Sequence, residues 1–139
     1  MPDGRGERVE QHEKTTYGYK SLEIYRRSHA LAVEVHRVTL AELPKFEMFE
    51  QGSQIRRSSK SVVANIVEGY ERRRYKIDYI RFLVVALASC DETVAHLKLL
   101  ADTGSLPAPR AETLLREYDI LGRQLNTFIS SVSREHQTP

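Results

Sequence analysis

From Leu22 to Val132 the apolar side chains recur every three or four positions, and no stretch alternates apolar and polar residues as a half-buried strand requires. This spacing predicts four amphipathic helices. The first runs from about Leu22 to Leu43, with Ser21 as its N-cap and Ile24, Leu31, Val35 and Val38 as its stripe; Pro44 closes it. The second carries Ile55, Ser59, Val62 and Ile66 and ends near Gly69, which offers a left-handed cap. Its start lies either at Gly52 and Ser53 or a turn earlier, through "FEMFEQ", and the earlier start is preferred. The third spans Ile77 to Thr103, with Leu83, Leu87, Cys90, Val94, Leu97 and Ala101 at alternating spacings of four and three, and stops at Gly104. At 1.5 Å per residue it is about 40 Å long. The fourth follows the turn "GSLPAP" and presents Leu114, Tyr118, Leu121, Leu125, Phe128 and Val132.

Isolated helices of this length are marginal in water, so the four stripes must cover one another. With short connections, the expected fold class is all-α: an antiparallel up-down four-helix bundle over residues 20–133. A flexible polar tail is expected over residues 1–19, and a frayed end over 134–139. The third predicted helix adds Phe82, Val84, Val85 and Leu100 to its stripe, more apolar surface than one seam needs. The excess predicts contact with another copy and hence a homo-oligomer.

Composition narrows the class further. At 139 residues the chain is long enough for one domain, and with 40% hydrophobic and 29% charged residues it reads as soluble and globular. No apolar run approaches the roughly 20 residues of a membrane span, and the polar N-terminus lacks the apolar core of a secretory signal. A single cysteine, Cys90, excludes an intramolecular disulfide and suits a reducing compartment; a cytoplasmic location is the expectation.

Net charge is only +2, but it is unevenly spread. Residues 55–81 hold eight Lys or Arg against three acids, a local +5 that leaves −3 for the remainder. Arg72, Arg73, Arg74 and Lys76, interleaved with Tyr70, Tyr75 and Tyr79, fall on the connection between the second and third predicted helices. Arginine reaches phosphates and tyrosine stacks on unpaired bases, the combination used to bind single-stranded nucleic acid. The plainer account is solvated surface charge. On the second predicted helix Arg56 and Lys60 share one face, with Arg57 on the next beside Ser61 and Glu68. They either extend the contact set or serve as solvated residues and ion-pair partners.

Four ordered blocks, "YKSLEIYRRSHALAVEVHRVT", "SQIRRSSKSVVANIVEGYERR", "YIRFLVVALASCDETVAHLKLL" and "LGRQLNTFI", resemble the 23S ribosomal RNA intervening sequence protein family, also called the four helix bundle protein family. The resemblance spans about Tyr19 to Val132, with "SQIRR", "EGY.RR" and "YIRFL" as its most specific parts. It implies a helical bundle assembling into a ring, typically a pentamer, encoded by inserts within large ribosomal RNA genes or elsewhere in bacterial genomes, and no enzymatic activity. The fold is also similar to the accessory protein of diversity-generating retroelements, a basic pentamer that binds nucleic acid and partners a reverse transcriptase. The chain departs from the family at Val63, where members often carry proline, and at Ser58 and Ser59, where they often carry alanine.

Catalytic and metal chemistry find little support. His29 and His36 share a face but lie two turns, roughly 10 Å, apart, too far to chelate one ion. Glu92 and His96 stand at i, i+4 rather than in the Glu-x-x-His spacing of di-iron bundles. Cys90 falls on the apolar stripe and reads as a packing residue, while Asp91 and Glu92 point about 100° apart. No phosphate-cradling glycine loop occurs. The expectation is a non-enzymatic chain without cofactor or metal, binding RNA or other nucleic acid through Arg56, Arg57, Lys60, Arg72, Arg73, Arg74, Tyr75 and Lys76. A scaffold docking an acidic or reverse-transcriptase-like protein is the rival.

Overall fold

The computed structural model describes residues 18–135; nearly all of the two expected tails lies outside the described residues. After a 3-10 turn at Tyr19–Ser21 come α1 (Glu23–Glu42), the single turn α2 (Lys45–Met48), α3 (Gln51–Glu71), α4 (Lys76–Asp102) and α5 (Ala108–Glu135). Among the described residues there is no strand. The four long helices run alternately up and down, each packed on its neighbours in chain order, with α5 returning to α1. Their stripes form one core, in which Ile55, Val62, Ile66, Leu83, Leu100, Leu121 and Leu125 are fully buried.

The helix ends follow from local chemistry with three departures from the sequence expectation. Ser21 does not cap α1; its hydroxyl bonds the Gly18 carbonyl at 2.7 Å within the preceding turn, and Leu22 occupies the cap position. "FEMFEQ" is not a continuation of α3. Pro44, at φ −58°, starts the separate turn α2, and the chain breaks at Phe49 and Glu50 before α3 begins. Glu47 holds that break together: its buried carboxylate accepts the Ser105 hydroxyl at 2.8 Å and the Gln51 amide N–H at 3.3 Å. One acid thus ties the α1–α3 connection to the α4–α5 turn and satisfies a free donor of α3.

Gly69 is the third departure. It has no positive φ and lies inside α3, which continues to Glu71. A Cβ there would stand 3.1 Å from the Phe82 Cβ and 3.4 Å from the Tyr79 carbonyl oxygen. The glycine serves close approach of α3 to α4, not helix termination. Gly104, at φ +78°, does end α4 in the left-handed region as expected.

The α3–α4 seam is built from small polar residues: Ser58 bonds Thr93 at 2.8 Å and Ser61 bonds Ser89 at 2.9 Å. α3 is unbroken through Val63, and Ser58 and Ser59 are buried in it. The α1–α5 seam is clasped instead by two arginines. Arg27 reaches Glu117 at 2.7 Å and Gln124 at 3.1 Å, while Arg110 reaches Glu42 at 3.1 Å.

Candidate functional site

The connection from α3 to α4 is short. α3 ends at Glu71, three residues turn, and Tyr75 stands at the cap position before Lys76 opens α4. Backbone bonds from Arg72 N–H to the Glu68 and Gly69 carbonyls, and from Tyr75 N–H to the Arg72 carbonyl, hold the turn. Arg72, Arg73, Arg74 and Tyr75 are all exposed, and Tyr75 shows 53% of its surface. This end also carries the start of α1, so Tyr19 and Tyr25, in edge contact at 4.9 Å, lie at the same end of the bundle.

The arginines already have intramolecular contacts. Arg72 pairs with Glu68 at 2.8 Å and lies over the Phe82 ring at 5.2 Å; Arg73 lies 4.0 Å over Tyr70 and bonds its carbonyl; Arg74 lies 5.8 Å over Tyr75. Such contacts orient the guanidinium groups against ring faces while the three residues stay exposed.

Among the interleaved tyrosines, Tyr79 belongs to the core. It is 6% exposed and packs edge-on against Phe128 at 6.0 Å. Burial, reinforced by Tyr70 and opposed by Arg73, pushes its hydroxyl up to about 12. Tyr75 is the exposed aromatic of the turn.

The basic residues of α3 divide. Lys60 and Arg57 are exposed and make no ion pair among the described residues. Arg56 turns inward instead: its guanidinium donates to the Thr39 hydroxyl at 3.0 Å and to the Met48 carbonyl at 2.8 Å, spanning α1, α2 and α3. Helical spacing placed Arg56 beside Lys60, but the break at Phe49 brings an unsatisfied carbonyl within its reach. Arg56 is half-buried and holds α1, α2 and α3 together. Glu68 is taken by Arg72 rather than Arg57.

Cys90 is 1% exposed and donates to the Tyr118 carbonyl at 3.6 Å; burial, then the charge of Asp91, pushes its thiol up to about 12. It is a packing residue with its thiolate suppressed. His96 bridges Gln51 at 2.8 Å and Glu92 at 3.3 Å across the α3–α4 seam. Among the described residues no three His, Cys, Asp or Glu side chains gather as a metal set, and no helix is long and apolar enough to cross a membrane.

Two surface features escaped the sequence analysis. A groove between α1 and α3 is floored by Ala32, Val33, Val63 and Ala64 and edged by His29, His36, Arg37 and Lys60. At the end opposite the arginine turn, Phe46 and Phe49 are 71% and 79% exposed. Both arise where elements meet, so periodicity within one helix carried no signal for them.

A solved protein of unknown function from the S23 ribosomal protein family of Bacteroides thetaiotaomicron superposes with TM-score 0.71 at 26% identity, covering 77% of this chain and 95% of that one. No curated protein matches. The description "23S rRNA-intervening sequence protein" belongs to the family that matches residues 20–127, from the 3-10 turn through most of α5. With that span and the shared bundle, the chain belongs to the 23S rRNA-intervening sequence protein family.

Proposed function

We propose that this chain is a non-enzymatic, ring-forming bundle that binds RNA or other nucleic acid through a basic rim. The observation that carries the reading is the α3–α4 turn, where Arg72, Arg73, Arg74 and Tyr75 stand exposed together at one end of the bundle. Lys76 follows on the first turn of α4, and Arg57 and Lys60 stand exposed farther back on α3, about 18 to 22 Å of helix from the turn, as a second set of cations. Three exposed guanidiniums lying over aromatic rings keep further N–H donors for phosphates, and an exposed phenol ring offers one stacking platform. A closed ring repeats this patch around one rim and multiplies its field, which steers polyanions.

The exposed apolar residues of α4, Val84 and Val85 among them, support self-association. The subunit number favoured is five, as the family resemblance implies. The competing reading is a scaffold whose basic rim docks an acidic protein, and the same cations serve it. Titrating labelled single-stranded RNA into the chain at two salt concentrations separates them. The nucleic-acid reading expects binding that weakens steeply with salt; no binding in moderate salt sinks it.

A further inference from the structure

The seam between α1 and α5 opens at the end of the bundle that carries the arginine turn. Beside the Arg27 clasp, an open groove of about 470 Å³ runs between the first turn of α1 and the second half of α5. Its apolar surface comes from Ile24, Ile120 and Phe128. Phe128 links the groove to the turn: its ring meets that of Tyr79 at 6.0 Å, and the Tyr79 N–H bonds the carbonyl of Tyr75 at 2.9 Å.

The uncommitted polar groups along the groove can donate. Arg27 Nε bonds Gln124 Oε1 at 3.1 Å, and because a guanidinium only donates, the contact turns the amide oxygen to Arg27 and leaves the NH2 as what Gln124 offers the groove. That NH2 and the Thr127 hydroxyl, one turn apart on α5, have no partner among the described residues. The Ser131 hydroxyl, by contrast, is taken by Glu135 at 3.1 Å. The two charged side chains of the groove are opposite in sign and already accompanied: Glu23 lies 3.9 Å from Arg27, and Arg123 lies 3.1 Å from Asp119. The lining therefore carries no net charge to draw in a phosphate, whereas a flat neutral ring meets both apolar walls and donors.

We propose that this groove takes an unpaired base of an RNA strand whose phosphates lie on the arginine turn, and that its donors favour uracil or guanine over adenine. This rests on the nucleic-acid reading above and adds a base-reading site to it. Phosphate contacts position a strand without reading it; contacts to base edges read it. Guanine presents O6 and N7 and uracil two carbonyl oxygens, while adenine sets its amino donor between its ring acceptors. From the α3–α4 turn to the α1–α5 seam the strand crosses one interhelical spacing, about 10 Å. Only splayed, unpaired bases can enter such a groove, so the site selects single strands.

Labelled oligo(U) and oligo(A) of equal length, titrated by fluorescence anisotropy into the wild type and two variants, test the site. The readout is the ratio of the two affinities, in which effects of net charge cancel. Gln124→Glu keeps an acceptor for Arg27 and removes the amide donor; Thr127→Val keeps the shape of an exposed side chain and removes the hydroxyl. Both are expected to stay helical by circular dichroism. The wild type is expected to favour oligo(U), and each variant to cut that preference by roughly three- to tenfold. Gln124→Glu carries the decision, and Thr127→Val carries it should the former not fold. A wild type without preference, or a preference that the deciding variant retains, overturns the groove as a base site and leaves the arginine turn standing. A wild type that binds neither oligonucleotide overturns the nucleic-acid reading and this site together.

Discussion

Arg56 donates to the Thr39 hydroxyl at 3.0 Å, and Thr39 in turn donates to the Val35 carbonyl at 2.7 Å, so one guanidinium on α3 is wired into the backbone of α1. Its second branch satisfies the Met48 carbonyl at 2.8 Å. Replacing Arg56 with Ala leaves both acceptors short of a donor and is expected to cost about 2 to 3 kcal/mol by urea unfolding. Lysine recovers at most one of the two bonds. Because Arg56 faces inward, Arg56→Lys should leave the salt dependence of any nucleic-acid binding unchanged. A flattened salt slope in a folded Arg56→Lys variant contradicts the structural role.

Gly69 and Gly122 both sit inside helices and should respond to alanine with opposite signs. Alanine gains roughly 1 kcal/mol of helix propensity at either position. At Gly122 the new methyl meets only the Cys90 Sγ at 3.9 Å, an ordinary contact, so Gly122→Ala is expected to stabilise by about 0.5 to 1 kcal/mol. At Gly69 it meets the Phe82 Cβ at 3.1 Å and the Tyr79 carbonyl at 3.4 Å, atoms too close to the backbone to swing away. Overpacking of this kind costs about 1 to 3 kcal/mol, so Gly69→Ala should destabilise on balance. Paired denaturant midpoints decide it: equal shifts of the same sign refute the close-approach account.

Alkaline pH should unfold the bundle in a defined window. Burial raises the Cys90 thiol from 9.0 to about 12 and the Tyr79 hydroxyl from 10.0 to about 12, and burial raises Tyr118 as well. For each, the folded state holds its proton where the unfolded state has released it. The stabilisation is therefore complete below about pH 9 and is lost as pH rises toward 12. Stability should fall by up to about 1.4 kcal/mol per pH unit for each such group. Urea midpoints from pH 8 to 11 measure the fall. In Cys90→Ala the decline between pH 9 and 10 should vanish while the tyrosine-driven decline above 10 remains; an unchanged profile refutes the assignment.

Replacing Arg72, Arg73 and Arg74 together with Ala should leave the bundle folded, since all three are exposed and the Arg72–Glu68 helix pair that goes with them is worth about 0.3 to 0.5 kcal/mol. RNA affinity should fall alike for all sequences. If each arginine meets one phosphate, the slope of log K against log salt flattens by about 2 to 3 per engaged subunit. Tyr75→Ala should weaken binding to single strands more than to duplex, because stacking needs an open base face. Fluorescence titration against both substrates reads each effect; unchanged affinity in the triple variant removes the rim from the site.

The four long helices, most of their core stripes, the stop at Gly104 and the burial of Cys90 were legible in the chain itself, but on α4 Leu100, expected among the surplus surface, is fully buried with Ala86 and Thr93, while Leu87, Val94 and Ala101 are only half-buried. Amphipathic spacing is a local property: each helix must bury whatever face its own residues make apolar, so 3.6-residue periodicity shows that face before any partner is known. The basic turn was legible for the same reason, because a dense run of cations in a short connection has few places to hide. Tertiary structure decided the matters that depend on what a neighbour presents. Arg56 turns inward because the break after α2 leaves the Met48 carbonyl beside it. Tyr79, one of three tyrosines in a basic stretch, is core because Phe128 of α5 covers it. Gly69 permits the approach of α4 rather than ending α3, since a helical glycine with negative φ looks the same in sequence as a capping one. The α1–α3 groove belongs to neither helix alone, and only their packing creates it.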